Sequence, residues 1–287
     1  MALSLGKRRV SRSLGGDIVL VLFLLLIAAV MLLPLVYAVS TSLKPNNELW
    51  LFPPRFFVSH PTVKNYKGLL ELMSSSWVPF SRYLFNTLFV TVAGCVGHII
   101  VASMCAYPLS LYRFPFSKSY FRLVQTSLMF SASVTAIPSF IIMSRLQLVD
   151  TYAALILPAV GLPLGLFLMK QFMDQMVHPA VLESADIDGA GEWVKFIRIV
   201  MPMVKPAWLT LAIFSIQTLW NIGSTPYIYS EARKTLSYAM NQIVSAGIAR
   251  QGVGAAVSVV MLSVPLLFFI VTQSNVVETM GSSGMKD

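Results

Sequence analysis

The fold is decided by residues 18–43, IVLVLFLLLIAAVMLLPLVYAVSTSL, which contain no charged side chain. A helix needs about 20 apolar residues to cross the hydrocarbon core of a bilayer. The basic residues before this stretch resemble a secretory leader, but the stretch is longer than the roughly 7–15 apolar residues of a signal peptide. We therefore expect an uncleaved first transmembrane helix.

Further uncharged stretches of spanning length follow at 83–112, 123–144, 151–169, 206–230 and 251–277. Lipid offers no hydrogen-bond partners, so each stretch can satisfy its backbone only as a helix. The sequence predicts an all-α, polytopic membrane protein with six transmembrane helices. In the third stretch, MFSASVTAIP is small, polar and kinked, which suits a packed or water-lined helix.

The segment 44–82 is rich in proline and too polar to span the membrane. We expect an ordered external loop there, which separates a peripheral N-terminal helix from a core of five helices. This divides the chain into 1–82, a core domain over 83–275 and a tail over 276–287.

The composition excludes several other classes of protein. Of the 287 residues, 56% are hydrophobic and only 11% are charged, against about a quarter charged in soluble domains. The net charge of +9 comes from scattered residues that form no stripe for a phosphate backbone, so we expect no nucleic-acid partner. Cys95 and Cys105 lie in one apolar stretch, about 15 Å apart along a helix, which is too far for a disulfide.

Lysine and arginine predict the orientation, because cytoplasmic loops carry an excess of both. The N-terminal cluster next to the first span consists of Lys7, Arg8, Arg9 and Arg12. We expect a multi-pass protein of the plasma membrane with its N-terminus and C-terminus both in the cytoplasm. Lys170 to Pro206 then forms the one long cytoplasmic loop.

This loop has the local signals of a helical hairpin. Pro179 suits the first position of a short helix, and Gly189 and Gly191 permit a reversal after it. Gly189 is expected to need a positive φ or a close approach to a partner. In the second arm we expect an apolar face formed by Trp193, Phe196, Ile197 and Val200, and a polar face formed by Lys195 and Arg198. An amphipathic hairpin of this kind fits a groove on a partner protein.

The same loop carries a resemblance to a known family. Residues 183–190, ESADIDGA, with Phe196, Ile199 and Pro202 downstream, are similar to the EAA loop of binding-protein-dependent ABC importers, whose pattern is E-A-A-x-x-D-G-A, then F, I and L-P. Ser184 and Met201 depart mildly from that pattern. Residues 153–158, AALILP, and 218–221, TLWN, extend the match. Over roughly 83–275 the chain resembles the second of the two paired permeases in carbohydrate importers of the maltose-transporter type.

The resemblance implies a type I ABC importer permease that translocates a sugar or oligosaccharide. Its partners would be a second homologous permease, a cytoplasmic ATP-binding-cassette ATPase dimer, an extracytoplasmic solute-binding protein and the lipid bilayer. The loop 170–206 would be the coupling element that docks on the ATPase, with Glu183 paired to a basic residue of the ATPase cleft and Ala185 and Gly189 allowing close packing. The docking residues carried over are Glu183, Ala185, Asp188, Gly189, Ala190, Phe196 and Pro202.

The chain has no G-x-x-x-x-G-K-[ST] phosphate loop, so we expect it not to be an enzyme and to bind no cofactor or metal, with ATP and Mg held by the partner ATPase. An intramembrane enzyme would need a motif such as G-x-S-x-G or H-E-x-x-H, and the sequence has neither. The alternatives left open are a non-transporting scaffold or sensor and a permease for a solute other than sugar.

Four residues within the predicted spans invite further predictions. Trp220 and Asn221 could contact a sugar, together with Ser133, although an interfacial anchor explains Trp220 about as well. His98 lies in the middle of a span among small residues, where a hydrogen bond between helices is expected in preference to a functional site.

Overall fold

The computed structural model describes residues 14–74, 77–223, 226–245, 247 and 250–283. Within these ranges all regular structure is helical, which confirms the all-α prediction. The α-helices are α1 (Leu14–Ser42), α2 (Asn46–Leu49), α3 (Lys64–Ser74), α4 (Phe80–Leu111), α5 (Ser117–Ser127), α6 (Ala132–Arg145), α7 (Ala153–Val160), α8 (Pro163–Met176), α9 (Pro179–Ile187), α10 (Glu192–Val194), α11 (Met201–Met203), α12 (Lys205–Trp220), α13 (Leu236–Ser245) and α14 (Gln251–Ser283).

Four helical stretches in the described ranges are long and apolar enough to cross a membrane by themselves, namely α1, α4, the stretch Ala153–Met176 and the part Gln251–Gln273 of α14. Two bent pairs raise the number to six if each pair is one span. The α5–α6 pair bends by 108°, and Glu192–Met203 bends by 76° against α12. The six apolar stretches therefore overlap six candidate spans if both bent pairs are counted. In the second pair only α12 overlaps the predicted stretch 206–230, and Glu192–Met203 lies in the loop predicted over 170–206.

The third predicted span is not one continuous helix. The chain turns between Ser127 and Ser131, where Met129 and Phe130 donate their N–H groups to carbonyls three residues back. Ser131 is extended, with ψ 151°, and α6 starts after it. Pro138, where a kink was expected, lies inside α6. The break therefore comes from the turn before α6 and not from the proline.

The fifth predicted span is shorter than the uncharged stretch 206–230, because α12 ends at Trp220. Beyond it, side chains satisfy backbone groups that a helix would have paired. The Thr235 hydroxyl donates to the Ile222 carbonyl at 2.7 Å, and Asp150 Oδ1 accepts the N–H groups of Tyr229 and Ser230 at 3.1 and 2.9 Å. In this part of the chain the run without charges is therefore longer than the helix.

The chain forms two compact units. The first contains the described residues up to Leu69 together with Arg250–Val259, and the second contains the other described residues. In the first unit, residues 15–34 of α1 are all exposed, whereas the loop after α1 is ordered as expected. Glu48 is 6% exposed and accepts the N–H groups of Ser59 and His60 at 3.0 and 2.9 Å.

The core of the second unit is organised around α4, which packs against α7, α8 and α12. Small residues allow the close approach of these helices. A Cβ added at Gly94 would lie 2.7 Å from Leu219, and one added at Gly97 would lie 2.8 Å from Val160. Cys95 is buried, Cys105 is partly buried and both are free thiols, as expected.

Two features of the ends bear on the sequence predictions. The helix α14 continues to Ser283, so the predicted tail 276–287 begins inside a helix. The N-terminal basic cluster, Lys7 to Arg12, lies outside the described residues.

Candidate functional site

The first arm of the hairpin, α9, ends in a glycine turn. The Ala190 N–H donates to the Ala185 carbonyl at 2.9 Å, and the Gly189 N–H donates to the Asp186 carbonyl at 3.0 Å. These two bonds form a Schellman motif, in which the residue after the helix adopts a left-handed conformation. Gly189 has φ +74°, which confirms the positive φ expected for it. Gly191 has an ordinary φ of −68°.

The inner face of α9 packs on the chain's own core. Leu182 is 9% exposed and Ala185 is 6% exposed, and Leu182 belongs to one apolar cluster with side chains from α4, α8, the second arm and α12. Burial within the chain was not expected of Ala185, and its close packing on an ATPase stays a prediction. Its small side chain is enclosed within the chain, where it lets α9 approach that core.

The second arm contains a π-helical turn, Lys195–Val200, between α10 and α11. The wider turn changes which side chains face inward. Phe196 and Val200 pack on the core, but Trp193 and Ile197 are 64% and 58% exposed. The four residues therefore do not form one continuous face, since an α-helical period does not hold across this turn, and docking of this face on a partner stays a prediction.

Lys195 is also placed differently from the prediction, since it is 3% exposed and not part of a solvated polar face. Its Nζ lies 2.7 Å from Asp186 Oδ1 and 2.5 Å from Glu192 Oε1. One cation thus joins the end of α9 to the start of the second arm. The hydrogen bonds to Asp186 and then Glu192 raise the pKa of Lys195.

The ion pair continues to the end of α4 through two tyrosines. Glu192 Oε2 accepts the hydroxyl groups of Tyr112 at 2.6 Å and Tyr107 at 3.0 Å. The hydrogen bond from Lys195 is the main reason that the pKa of Glu192 is lowered, and the Tyr112 hydroxyl adds to it. We call these five side chains the latch: Asp186, Lys195, Glu192, Tyr107 and Tyr112.

The signals for the latch were present in the sequence but scattered. A lysine stood in a largely apolar arm with two acidic residues before it, and two tyrosines lay five residues apart at the end of an apolar stretch. Their pairing spans 80 and 85 residues of chain. Only the fold brings them together.

The outer face of the hairpin is exposed. It presents charged side chains, apolar side chains and the backbone of Gly189, which has no side chain to cover it. Ile187 at its tip is 87% exposed, and a Cβ added at Gly189 would meet nothing within 4 Å. The exposed predicted docking residues are Glu183, Asp188, Gly189 and Pro202, while Ala190 and Phe196 are partly buried. A cavity of about 610 Å³ opens beside this face, lined by Met104, Tyr107, Pro108, Tyr112, Glu192, Trp193 and Phe196.

The predicted pathway residues do not share one environment. Trp220 is 2% exposed, and its indole N–H donates to the Met261 carbonyl at 2.9 Å. Asn221 is exposed and donates to the Gln217 carbonyl at 2.8 Å, and Ser133 is exposed on α6. In this conformation Trp220 is a core residue. Contact of the three residues with a sugar stays a prediction.

His98 makes the interhelical hydrogen bonds that were expected. Its Nε2 lies 3.1 Å from the Leu162 carbonyl, to which it can only donate, and its Nδ1 lies 2.9 Å from the Ser215 hydroxyl. A Cβ added at Gly165 would lie 2.2 Å from Nε2, so the glycine makes room for the ring. Among the described residues no group of three or more His, Cys, Asp or Glu side chains could hold a metal ion.

Known proteins resemble this chain in sequence and in fold. The diacetylchitobiose uptake system permease protein NgcG of Streptomyces coelicolor is 28% identical over 202 residues, which are 69% of this chain and 64% of that protein. The polygalacturonan/rhamnogalacturonan transport system permease protein YtcP of Bacillus subtilis is 29% identical over 82% of this chain and 80% of that protein.

The crystal structure of a bacterial ABC transporter that imports the acidic polysaccharide alginate contains a chain with the same fold. The TM-score is 0.75 at 22% identity, over 90% of this chain and 95% of that chain. Residues 98–278 match the family model described as binding-protein-dependent transport system inner membrane component. Since this match covers more than half of the sequence, the chain belongs to the family of inner membrane components of binding-protein-dependent transport systems.

Proposed function

We propose that the chain is the permease subunit of an ATP-driven importer and translocates a sugar or oligosaccharide into the cell. The observation that carries the proposal is the hairpin at 179–203, with one face packed on the chain's own core and a bare tip at Gly189. A face of this kind, with exposed Glu183 and Ile187, fits a cleft on a second protein. The names of the relatives above support a saccharide as the solute.

The proposed coupling follows from what the hairpin touches. Glu183 pairs with a cationic side chain of the ATPase, which binds ATP and Mg and closes on nucleotide binding. The latch connects the second arm to the end of α4, and Leu182 connects the first arm to the cluster that includes Met173 of α8. Displacement of the tip is thus passed to α4 and α8 together, as in a rigid-body switch between two global states.

The remaining parts of the importer are proposed as well. The hairpin and both termini face the cytoplasm, a second homologous permease encloses the pathway, and a solute-binding protein delivers the sugar from outside. Asn221 and Ser133 are proposed to line the pathway. A role for Trp220 requires a state in which its indole N–H leaves the Met261 carbonyl.

The experiment is uptake of labelled saccharides into vesicles that contain the assembled complex. We expect uptake to need ATP, this chain, the second permease, the ATPase and the binding protein, and to stop when any one of them is omitted. Uptake by this chain alone would contradict the proposal. ATP-dependent uptake of a sugar phosphate or amino acid, but of no saccharide, would agree with the permease role and contradict a saccharide as the substrate.

The docking face is tested with Glu183→Ala in the same complex. Truncation of one partner of a buried charge pair at an interface costs about 2–5 kcal/mol, and about 1.4 kcal/mol corresponds to a tenfold change in affinity. We expect at least tenfold weaker retention of the ATPase. The control is Glu71→Ala, which removes another exposed carboxylate. Equal retention in both variants would exclude Glu183 from the contact.

A further inference from the structure

The loop that follows α1 folds back along the helix. The Ser40 hydroxyl donates to the Phe56 carbonyl at 2.8 Å, and the rings of Phe56 and Tyr37 lie 5.5 Å apart. Tyr37 is five residues before the helix end at Ser42, about 7.5 Å along the axis. Residues 50–57 therefore do not continue away from the span but lie beside its last two turns.

Hydrogen bonds hold this loop in place. Asn65 is 6% exposed and its Nδ2 donates to the carbonyls of Ser42 and Lys44, both at 2.8 Å. The Thr62 N–H donates to the Leu43 carbonyl at 2.8 Å, and the Lys44 ammonium donates to the Arg55 carbonyl. The return of the loop toward the helix is thus fixed by backbone and buried polar groups.

The segment 50–57 presents large apolar side chains outward. Phe52 is 95% exposed, Phe57 is 69% exposed, and Trp50 and Leu51 are 55% and 43% exposed. The Lys44 ammonium lies 5.1 Å from the centre of the Tyr37 ring, and Arg55 is exposed within the segment. Aromatic rings beside basic residues, at the level where an apolar helix ends, are the composition of the membrane–water interface.

We propose that residues 50–57 are an interfacial anchor, whose Trp50, Phe52 and Phe57 side chains insert at the boundary between the lipid headgroups and the acyl chains. The argument for lipid is the position of the segment. The neighbouring helix is apolar and exposed over residues 15–34, so its surroundings are acyl chains, and the segment lies where those chains end. The exposed Arg55 then meets the lipid phosphates, whereas the buried Lys44 holds the loop through the Arg55 carbonyl. The proposal does not depend on which side of the membrane this end of α1 faces.

The test places a fluorescent label at single cysteines in a chain whose Cys95 and Cys105 are replaced by alanine. The label sites are Phe52→Cys and Phe57→Cys, with Lys67→Cys as the control on an exposed polar position. The protein is reconstituted, alone and in the assembled complex, in phosphatidylethanolamine and phosphatidylglycerol vesicles. Some of the lipid carries a nitroxide near the carbonyl end of the acyl chain, and iodide serves as the aqueous quencher.

We expect the nitroxide lipid to quench the labels at 52 and 57 several-fold more than the label at 67, and iodide to show the opposite order. Equal quenching at all three positions would overturn the anchor. Protection from iodide that appears only in the assembled complex, without quenching by the lipid, would also overturn it and assign the segment to a protein partner. Both sites are largely exposed, and the ring contact that Phe57→Cys removes is the one with Phe56.

Discussion

At the scale of single residues, Lys195 is the group on which the geometry of the hairpin depends most. Its ammonium is shared by Asp186 of the first arm and Glu192 of the second. A buried cation with two carboxylate partners positions those partners relative to each other, since each would otherwise repel the other. The latch is therefore a positioning device in the proposed coupling and not a contact with solute or nucleotide.

Substitution Lys195→Met keeps the apolar stem and removes the charge. We expect the hairpin to loosen and the stimulated ATPase rate of the assembled complex to fall roughly tenfold. A tenfold fall corresponds to a loss of about 1.4 kcal/mol in the free energy that couples the hairpin to the ATPase. The matched control is Arg198→Met, which removes an exposed cation of the same arm and should leave the rate unchanged. A normal rate in Lys195→Met, with the ATPase retained, would remove the latch from the coupling path.

The latch also has a defined pH range. The pKa of Glu192 is lowered from 4.5 and that of Lys195 is raised from 10.5. A lowered carboxyl pKa gives stability that is present above the ordinary pKa and is lost as the pH falls through the folded value. A raised lysine pKa gives stability that is present below the ordinary pKa and is lost as the pH rises through the folded value. The latch is thus intact between these two limits.

We therefore expect a broad plateau of thermal stability around neutral pH and a decline on the acid side. Glu192→Gln should lower the plateau and flatten the acid decline, because an amide does not titrate. Unfolding temperatures of the purified protein between pH 3 and 8 check this. If the acid decline is equally steep in Glu192→Gln, the loss of stability at low pH comes from other carboxylates.

At the scale of elements, the hairpin turn offers two glycines that differ in one property. A Cβ would meet nothing within 4 Å at either Gly189 or Gly191, but only Gly189 has a positive φ. A left-handed conformation costs an ordinary L-residue about 1–2 kcal/mol. The local fold of the turn is therefore set by backbone conformation and not by space.

Gly189→Val is expected to disturb the turn and to abolish ATP-driven uptake, whereas Gly191→Val should be tolerated by the fold. Gly189→Asn should be intermediate, because asparagine enters the left-handed region more readily. Uptake and ATPase retention in the three variants decide the matter. If Gly189→Val and Gly191→Val behave alike, conformation is not what the turn requires.

The predictions for this element succeeded and failed for identifiable reasons. Proline and glycine positions placed α9 and its turn correctly, because these residues act through their own backbone. The apolar residues of the second arm do not share one face, because the π-helical turn over Lys195–Val200 breaks the α-helical period between Trp193 and Val200. The burial of Lys195 was not predictable, because the groups that offset the cost of burying its charge form a network that ends at Tyr107 and Tyr112, at the end of α4.

At the scale of the whole molecule, uncharged stretches located the candidate spans of the described residues, because charge is costly in the apolar middle of a span. They did not show where a span breaks or stops. The turn before Ser131 and the early end of α12 at Trp220 depend on local hydrogen bonds that a count of charges does not register. The predicted orientation rests on basic residues that include the N-terminal cluster outside the described ranges.

Cysteine labelling tests the topology. Reagents that do not cross the membrane should modify single cysteines at exposed positions within 60–74 and at Ser230 from outside, and should leave 183–195 and position 283 unreacted until the membrane is opened. The exposed position Asp188 serves as the diagnostic site in the hairpin. Labelling of Asp188→Cys from outside would reverse the orientation and end the proposed docking on a cytoplasmic ATPase.

The exposed tip of the hairpin has a consequence for how the cell must supply this subunit. The hairpin, which is proposed to lie in the aqueous phase, exposes the apolar side chains of Ile187, Trp193 and Ile197. Such a surface promotes aggregation when no partner covers it. Synthesis in excess over the ATPase should therefore shorten the lifetime of the chain through quality-control proteolysis. Matched expression of the subunits becomes a condition for its accumulation as well as for transport.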